Sequence, residues 1–347
     1  MSNYPTVSII LLNWNGWEDT IECLESVYSI NYPNYQVIVV DNGSQDNSLQ
    51  KIEDYAKGIL KPNSKFFNYS KDNKPLTIIT YSKEESELNS DENKEFFKLP
   101  SNRKLFLIKN EYNYGFAEGN NIGIRYCLTS FHPDYVMLLN NDTVVDKDFL
   151  DKLVMISESD EMIGIIGPKI YYYEFGGQND IINFAGGKIN WLRYPGYHHI
   201  GDGVKDVDSR IHSGIKECDW ITGAAIMIKS KFLSYGFLDN NYFFGCEDVD
   251  LCMRLKKQGC KIFVNLDSLV WHKIGVSRKK TSSSMLKVYK RDAFTNFKFL
   301  KNNSRFYMII FSLYIPKIIA TSLKLLLFPT KEISGPVPKL LNKISKR

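Results

Sequence analysis

The sequence lacks a stretch long and uncharged enough to cross a bilayer. Its most apolar region, near the C-terminus, is broken by Lys317 and Lys324. The longest uncharged run there, Phe306 to Pro316, falls well short of the roughly 20 residues a spanning helix needs. Paired CxxC cysteines are also missing, and no signal-peptide pattern precedes Val7. The six cysteines, Cys23, Cys127, Cys218, Cys246, Cys252 and Cys260, are therefore expected to be reduced thiols of a cytosolic protein. The closer group, Cys246, Cys252 and Cys260, fits no zinc spacing, which favours buried thiols over metal ligands. No repeat of fixed period runs through the chain. Acid is scarce after His272: Lys273 to Arg347 holds 17 Lys and Arg against two Asp and Glu, a charge of +15. Residues 1–272 therefore carry −10 of the overall +5. A basic tail on an acidic body implies an anionic partner, either nucleic acid or a membrane surface. The tail has no Arg-rich or base-stacking motif, so no nucleic-acid partner is expected.

What is present is ordinary globular composition, enough for one large domain plus an appendage. "TVSIILLNWNG" and "YQVIVVDNGSQDNS" contain near-continuous apolar runs flanking a helical pattern with Ile21, Leu24, Val27 and Tyr28 on one stripe. This is a β-α-β unit whose strands are buried on both faces, as in a parallel sheet. From about Lys57 to Arg103 the chain turns rich in Lys, Asn, Ser and Glu, which predicts a partly mobile insertion with a short strand at "PLTIITY". Then follow "KLFLIKN", a loop "EYNYGFAEGNN", a helix from Ile122 to Ser130, the strand "DYVMLLNNDTVV" and the helix "KDFLDKLVMISES". Polar groups stand where the strands end: Asn13 and Asn15, Asp41 and Asn42, Asn141 and Asp142. In open α/β sheets ligands sit outside the carboxyl ends of the strands, so these ends predict a site.

"FFGCEDVDLCMR" places Glu247, Asp248 and Asp250 at a helix start. Acids there interact favourably with the helix dipole. Helical periodicity puts Asp248 with Leu251, Cys252 and Leu255 on the apolar stripe, and Glu247, Asp250 and Arg254 on the polar side. Asp250 and Arg254 are spaced for an i, i+4 ion pair. A carboxylate on the buried stripe must be satisfied, either by capping the backbone or by facing a cavity walled by Phe243 and Phe244, where it could act as a general base.

Taken in order, "VSIILLNWNG", "VIVVDNGSQDNS", "NYGFAEGNNIGI", "YVMLLNNDTVV", "DWITGAAIMIK", "GCEDVDLCMRLKKQG" and "LVWHKIGVS" resemble the inverting family 2 glycosyltransferases with a GT-A fold, especially the rhamnosyltransferase-like branch. The resemblance spans roughly Thr6 to Ser277 apart from the insertion. It implies an α/β domain with a mostly parallel sheet over residues 1–280; residues 281–347 are expected, from their own charge and hydropathy, to form a helical, basic, membrane-associating segment. It also implies a nucleotide-sugar site: Asp41 matches the acid that bonds the donor base, Asn13 and Asn15 line the same pocket, and Asn113, Gly115, Gly119 and Asn120 lie along the donor. Asn140-Asn141-Asp142 occupies the DXD position, with Asn141 on the donor and Asp142 carrying most of the metal ligation beside His272. The first acid of that motif is Asn here, which leaves fewer charged ligands. Asp248 matches the catalytic base, and Trp220, Gly223 and Glu247 fall to the acceptor pocket. His198, His199 and His212 receive no role and are expected at the surface.

The implied cofactor is a divalent cation, Mn2+ or Mg2+, with the histidine favouring Mn2+. The implied reaction moves a sugar from dTDP-rhamnose or a UDP-sugar to a hydroxyl of a glycan or lipid-linked acceptor, on the cytoplasmic face of a membrane. The tail fits a helix in an anionic membrane interface, with Lys317, Lys324 and Lys331 on one face and Pro316 bending or interrupting it. Packing of that helix on the domain is the plainer alternative. A catalytically inactive nucleotide-sugar-binding scaffold is the competing function, against which Asp142, Asp248 and His272 stand together.

Overall fold

The computed structural model describes residues 4–88, 96, 98–191, 197–208, 212–242, 245–274 and 285–327. The chain divides into two compact units, Met1–Lys188 with His198–Lys273, and Ile189–Tyr197 with Ile274–Arg347.

The first unit begins with β1 (Val7–Asn13), α1 (Trp17–Tyr28), β2 (Tyr35–Asp41), α2 (Ser48–Ala56), β3 (Thr77–Ser82), α3 (Lys83–Glu87) and β4 (Lys104–Lys109). Next come α4 (Gly115–Ser130), β5 (Tyr135–Asn140), β6 (Thr143–Val145), α5 (Phe149–Glu158), β7 (Ile163–Tyr172), β8 (Ile182–Phe184), β9 (Gly187–Ile189) and β10 (Tyr197–His199). The unit closes with β11 (Ile215–Glu217), β12 (Ala225–Lys229), α6 (Ser230–Leu233), α7 (Glu247–Lys256) and β13 (Lys261–His272).

All of these strands except β9 and β10, which pair separately, build one large sheet in the order β11-β13-β7-β12-β5-β1-β2-β4-β3, with β6 added to β13 and β8 to β7. The apolar runs explain its centre. Val7, Ile9, Ile10 and Leu11 of β1, and Val37 to Val40 of β2, are fully buried. Burying each such side chain contributes roughly 1.5–3 kcal/mol. β1 pairs in parallel with both β2 and β5, and β2 in parallel with β4. β12 runs antiparallel to β5 and β7, so the sheet is mixed though mostly parallel. The register sets Asn13 opposite Asp41 and Leu12 opposite Asn140, which levels the polar strand ends. The switch in strand order falls at β1, where such sheets bind ligands.

The insertion is more firmly held than its composition suggests. Its strand β3 pairs in parallel with β4 at the sheet edge. Lys74 Nζ lies 3.2 Å from Glu25 Oε2, both side chains 3% exposed. Tyr55 donates to the same carboxylate at 2.8 Å, and the Lys74 ammonium sits 4.1 Å from the Tyr55 ring centroid. Burial lowers the Lys74 pKa, with Glu25 opposing the shift. Phe66 packs on Trp271 and Tyr173 at centroid distances of 4.6 and 5.0 Å.

In the second unit, α8 (Met285–Asn303) and α9 (Tyr307–Leu327) form a helical hairpin, with Phe297 against Phe311 at 4.4 Å. α9 continues through Pro316, where a bend or an interruption is expected from the sequence, so the helix is not interrupted there. Met308, Ile309, Leu313 and Leu323 are more than half exposed. No described helix is long and apolar enough to cross a membrane. The side chains of Lys317 and Lys324, and all of Lys331, lie outside the described residues, as do Phe243 and Phe244.

Candidate active site

The ends of β1, β2 and β5 are joined by a buried polar network. Asn13 donates to Asp41 Oδ1 at 2.6 Å and accepts from Thr20 at 2.8 Å. Ser44 holds Asp41 through both its hydroxyl, at 2.6 Å to Oδ1, and its N–H, at 3.1 Å to Oδ2. Asn141 donates to Thr20 at 2.9 Å and reaches Asn13 Oδ1 at 3.3 Å. Asn15, in left-handed backbone geometry at φ 51°, accepts from the Gln45 N–H at 2.8 Å and so staples the loop after β2. The structure thus brings Asn13, Asn15, Asp41 and Asn141 together.

Asn113 and Gly115 join this group through Asn42. The buried Asn42 amide donates to Asn113 Oδ1 at 3.0 Å and to the Gly115 carbonyl at 3.1 Å, and accepts from Asn110 at 3.1 Å. The sequence marks Asn42 among the polar strand ends, and the return of the chain after β4 makes it a hub. The stretch expected as a loop is helical from Gly115 onward. Gly119 accordingly faces the sheet: a Cβ there would come 2.6 Å from Leu12 Cδ1. Asn120 turns its amide back onto the Phe116 carbonyl at 2.9 Å. Gly119 thus seats α4 closely on β1 and beside the Asn42 amide, 3.0 Å from its Cβ position, whereas the Asn120 amide bonds within its own helix.

Asp142 and His272 meet because β6 pairs antiparallel with the end of β13, setting Thr143 opposite His272. His272 Nε2 is 3.0 Å from Asp142 Oδ1 and 3.5 Å from Asn140 Nδ2. Burial pushes the Asp142 carboxyl up, but His272, local hydrogen bonds and the Lys273 charge outweigh it, so its pKa is lowered. Lys273, which no sequence pattern singles out, is clamped at 2.6 Å by both Asp19 and Glu22 of α1. Among the described residues no three His, Cys, Asp or Glu side chains gather as a metal site. Asp142 and His272 form a two-group donor set, an oxygen and a nitrogen suited to a divalent cation whose remaining ligands are not protein carboxylates. The cysteine trio behaves as buried thiols: burial raises Cys252 well above its usual value and Cys260 to about 11.

The acids of α7 divide differently from the periodic expectation. Glu247 and Asp250, read from the sequence as facing the polar side, are buried at 5% and 2% exposure, while Asp248 is half-buried. The periodicity identified the faces but not what covers them. Arg254 bonds Asp250 at 2.8 Å and also the Phe237 carbonyl at 2.6 Å, so the chain before α7 closes over that side. Asp248 receives the Gly223 N–H on Oδ2 at 2.7 Å and the Val249 N–H on Oδ1 at 2.8 Å. Burial raises its pKa; these donors and His199 oppose the shift without cancelling it. A carboxylate bonded, among the described residues, only to backbone donors, with its pKa raised, is suited to taking up a proton. Gly223 is therefore brought to Asp248. Trp220 is 2% exposed and forms backing for this region: a Cβ on Gly187 would come 2.2 Å from the indole.

His199, expected at the surface, instead packs edge-on against Phe184 at 5.1 Å and against Trp220 at 5.3 Å. No short-range pattern in the sequence connects it to Trp220; strand β8 and the turn at Gly186 do so in the fold.

Known proteins resemble this chain in sequence and in fold. The profile of glycosyl transferase family 2 matches residues 8–74 and 86–210, more than half of the chain. A low-salt glycan biosynthesis hexosyltransferase of Haloferax volcanii is 28% identical over 43% of this chain and 46% of its own. The rhamnosyltransferase WbbL of Escherichia coli is 27% identical over 43% of this chain and 57% of its own. The matched segment thus spans about half the length of these curated relatives. Among solved structures, GalNAc-T7 with UDP, GalNAc and Mn2+ superposes with a TM-score of 0.58 at 15% identity, covering 100% of this chain and 55% of that one. The mannosyltransferase PcManGT of Pyrobaculum calidifontis, with GDP-Man and Mn2+, gives 0.53 at 15% identity over 99% and 81%. The GT-A fold is shared with both, and the chain belongs to glycosyl transferase family 2.

Proposed function

We propose that this protein is an inverting glycosyltransferase that moves a sugar from a nucleotide diphosphate, dTDP-rhamnose or a UDP-sugar, to a hydroxyl of a glycan or lipid-linked acceptor. The observation that carries this reading is the Asp248 carboxylate, held at 2.7 Å by the Gly223 N–H and raised in pKa by burial. The acceptor oxygen attacks the anomeric carbon as the bond to the diphosphate oxygen breaks. The acceptor proton passes to Asp248, and the nucleoside diphosphate leaves with the electron pair. One displacement gives inversion.

Asp41 keeps acceptor capacity on Oδ2, where among the described residues only the 3.1 Å bond from Ser44 falls, which suits the N–H of a pyrimidine base. Asn113 and Gly115 border the same ends through Asn42. Asp142 and His272 are the residues that would hold Mn2+ or Mg2+. A bound cation supplies Lewis-acid neutralisation of the diphosphate charge. Asp142, kept anionic by its neighbours, is suited to that duty.

We assign residues 1–280 to the transferase domain and 281–347 to a peripheral attachment to the cytoplasmic face of an anionic membrane. The exposed apolar side chains of α9 and the tail's +15 charge support this. The test of function is a thermal-shift screen of nucleotide sugars with Mn2+ and Mg2+, followed by transfer assays. A donor that raises the melting temperature only with metal supports the reading; stability unmoved by every nucleotide sugar contradicts it. Truncation after Ser284 is expected to abolish flotation with vesicles containing anionic lipid, and persistent flotation would move the attachment elsewhere.

A further inference from the structure

We propose that His199 is a substrate-orienting group of this site: an imidazole protonated at Nδ1 that accepts, at Nε2, a hydrogen bond from the acceptor sugar and steers its hydroxyl toward Asp248. The inference rests on the reading of Asp248 as the base.

The tautomer follows from one contact. His199 Nδ1 lies 3.1 Å from the Asn183 carbonyl oxygen. A carbonyl only accepts, so Nδ1 carries the hydrogen, and the neutral ring keeps a bare lone pair on Nε2. Among the described residues no protein group hydrogen-bonds that nitrogen. The ring cannot swing freely, because Phe184 meets it edge-on at 88° and Trp220 packs on it at 5.3 Å. The location follows from the chain. Trp220 opens the short segment that ends at Gly223, whose N–H holds Asp248. Burial acts most strongly on the imidazole, and the Asn183 hydrogen bond and the Asp202 and Asp248 charges oppose it. Burial dominates these effects and lowers its pKa, which keeps the ring neutral at pH 7. A packing histidine needs only its ring. This one also has a fixed tautomer and a lone pair with no protein donor, which suits a sugar hydroxyl.

The test uses the full chain, the nucleotide sugar selected by the thermal-shift screen, and octyl glycosides as acceptor probes. His199→Phe keeps the aromatic packing and removes the acceptor atom. His199→Gln returns an acceptor oxygen near the Nε2 position. Removing one neutral hydrogen bond is expected to lower kcat/KM for glycoside transfer about tenfold in His199→Phe. Hydrolysis of the donor by water should stay unchanged, and His199→Gln should recover most of the transfer. Unchanged transfer in His199→Phe, a parallel fall in hydrolysis, or no recovery in His199→Gln would each overturn the proposal. A second reading is independent of turnover. Imidazole nitrogen NMR at pH 7, with His199→Phe for assignment, should show the proton on Nδ1 and a bare Nε2; a proton on Nε2 overturns the proposal even if no donor is turned over. If His199→Phe behaves as expected while Asp248→Asn keeps full transfer, the assignment of the base fails instead.

Discussion

Two carboxylates of the proposed site are treated in opposite ways. Asp142 lies against His272 at 3.0 Å with the Lys273 charge nearby, and its pKa falls despite burial. Among the described residues Asp248 has only backbone donors on its oxygens, and burial raises its pKa. The difference lies in the company each keeps rather than in depth of burial, since both are at least partly enclosed. An acid held anionic suits a cation and a diphosphate; an acid whose proton affinity is raised suits a hydroxyl proton. Environments that push two acids apart are how one site runs two jobs near neutral pH.

The sharpest break in that comparison is Asp248→Asn. Transfer is expected to fall by about 10²–10⁴-fold, with donor binding retained. Steady-state rates beside donor titration check this, and near-normal turnover would remove Asp248 as the base. Away from the site, Lys74→Ala leaves Glu25 buried without its cation and should cost about 3–5 kcal/mol in denaturant unfolding. Asp142→Ala should weaken metal-dependent donor binding by roughly 10–100-fold, read by calorimetry with and without Mn2+. Unchanged metal dependence would dissolve the pairing with His272.

The smallest effect concerns stability against pH. Asp248, with a raised folded pKa, contributes stability that is present below its unfolded value, about 3.9, and is lost as pH rises through the folded value. Asp142, with a lowered folded pKa, contributes stability that is present above the unfolded value and is lost as pH falls through the folded one. Asp248→Asn should therefore hold or raise Tm at pH 7 relative to wild type, and Asp142→Asn should lower it. Scanning calorimetry in metal-free buffer reads both signs.

Much of the fold is legible in the sequence because β1, β2, β4 and β5 are buried on both faces and show it as unbroken apolar runs. The strand-end residues Asn13, Asp41 and Asp142 are legible for the same reason, since a polar group that stops such a run is conspicuous. Less is visible where long-range packing decides. Periodicity assigned Asp250 and Glu247 to a polar face that the neighbouring chain covers. The glycines of α4 look like a loop until β1 is set beneath them, where Gly119 permits the close approach. Asn42, Lys273 and His199 acquire roles only from partners 68, 254 and 16 positions away.

The most direct measurement is a carboxyl carbon NMR titration of the full chain without metal, with Asp142→Asn and Asp248→Asn used for assignment. The account predicts that Asp248 titrates above the ordinary aspartate value of about 3.9 and Asp142 below it. An Asp248 carboxyl that titrates at or below Asp142 would contradict the division of labour between them.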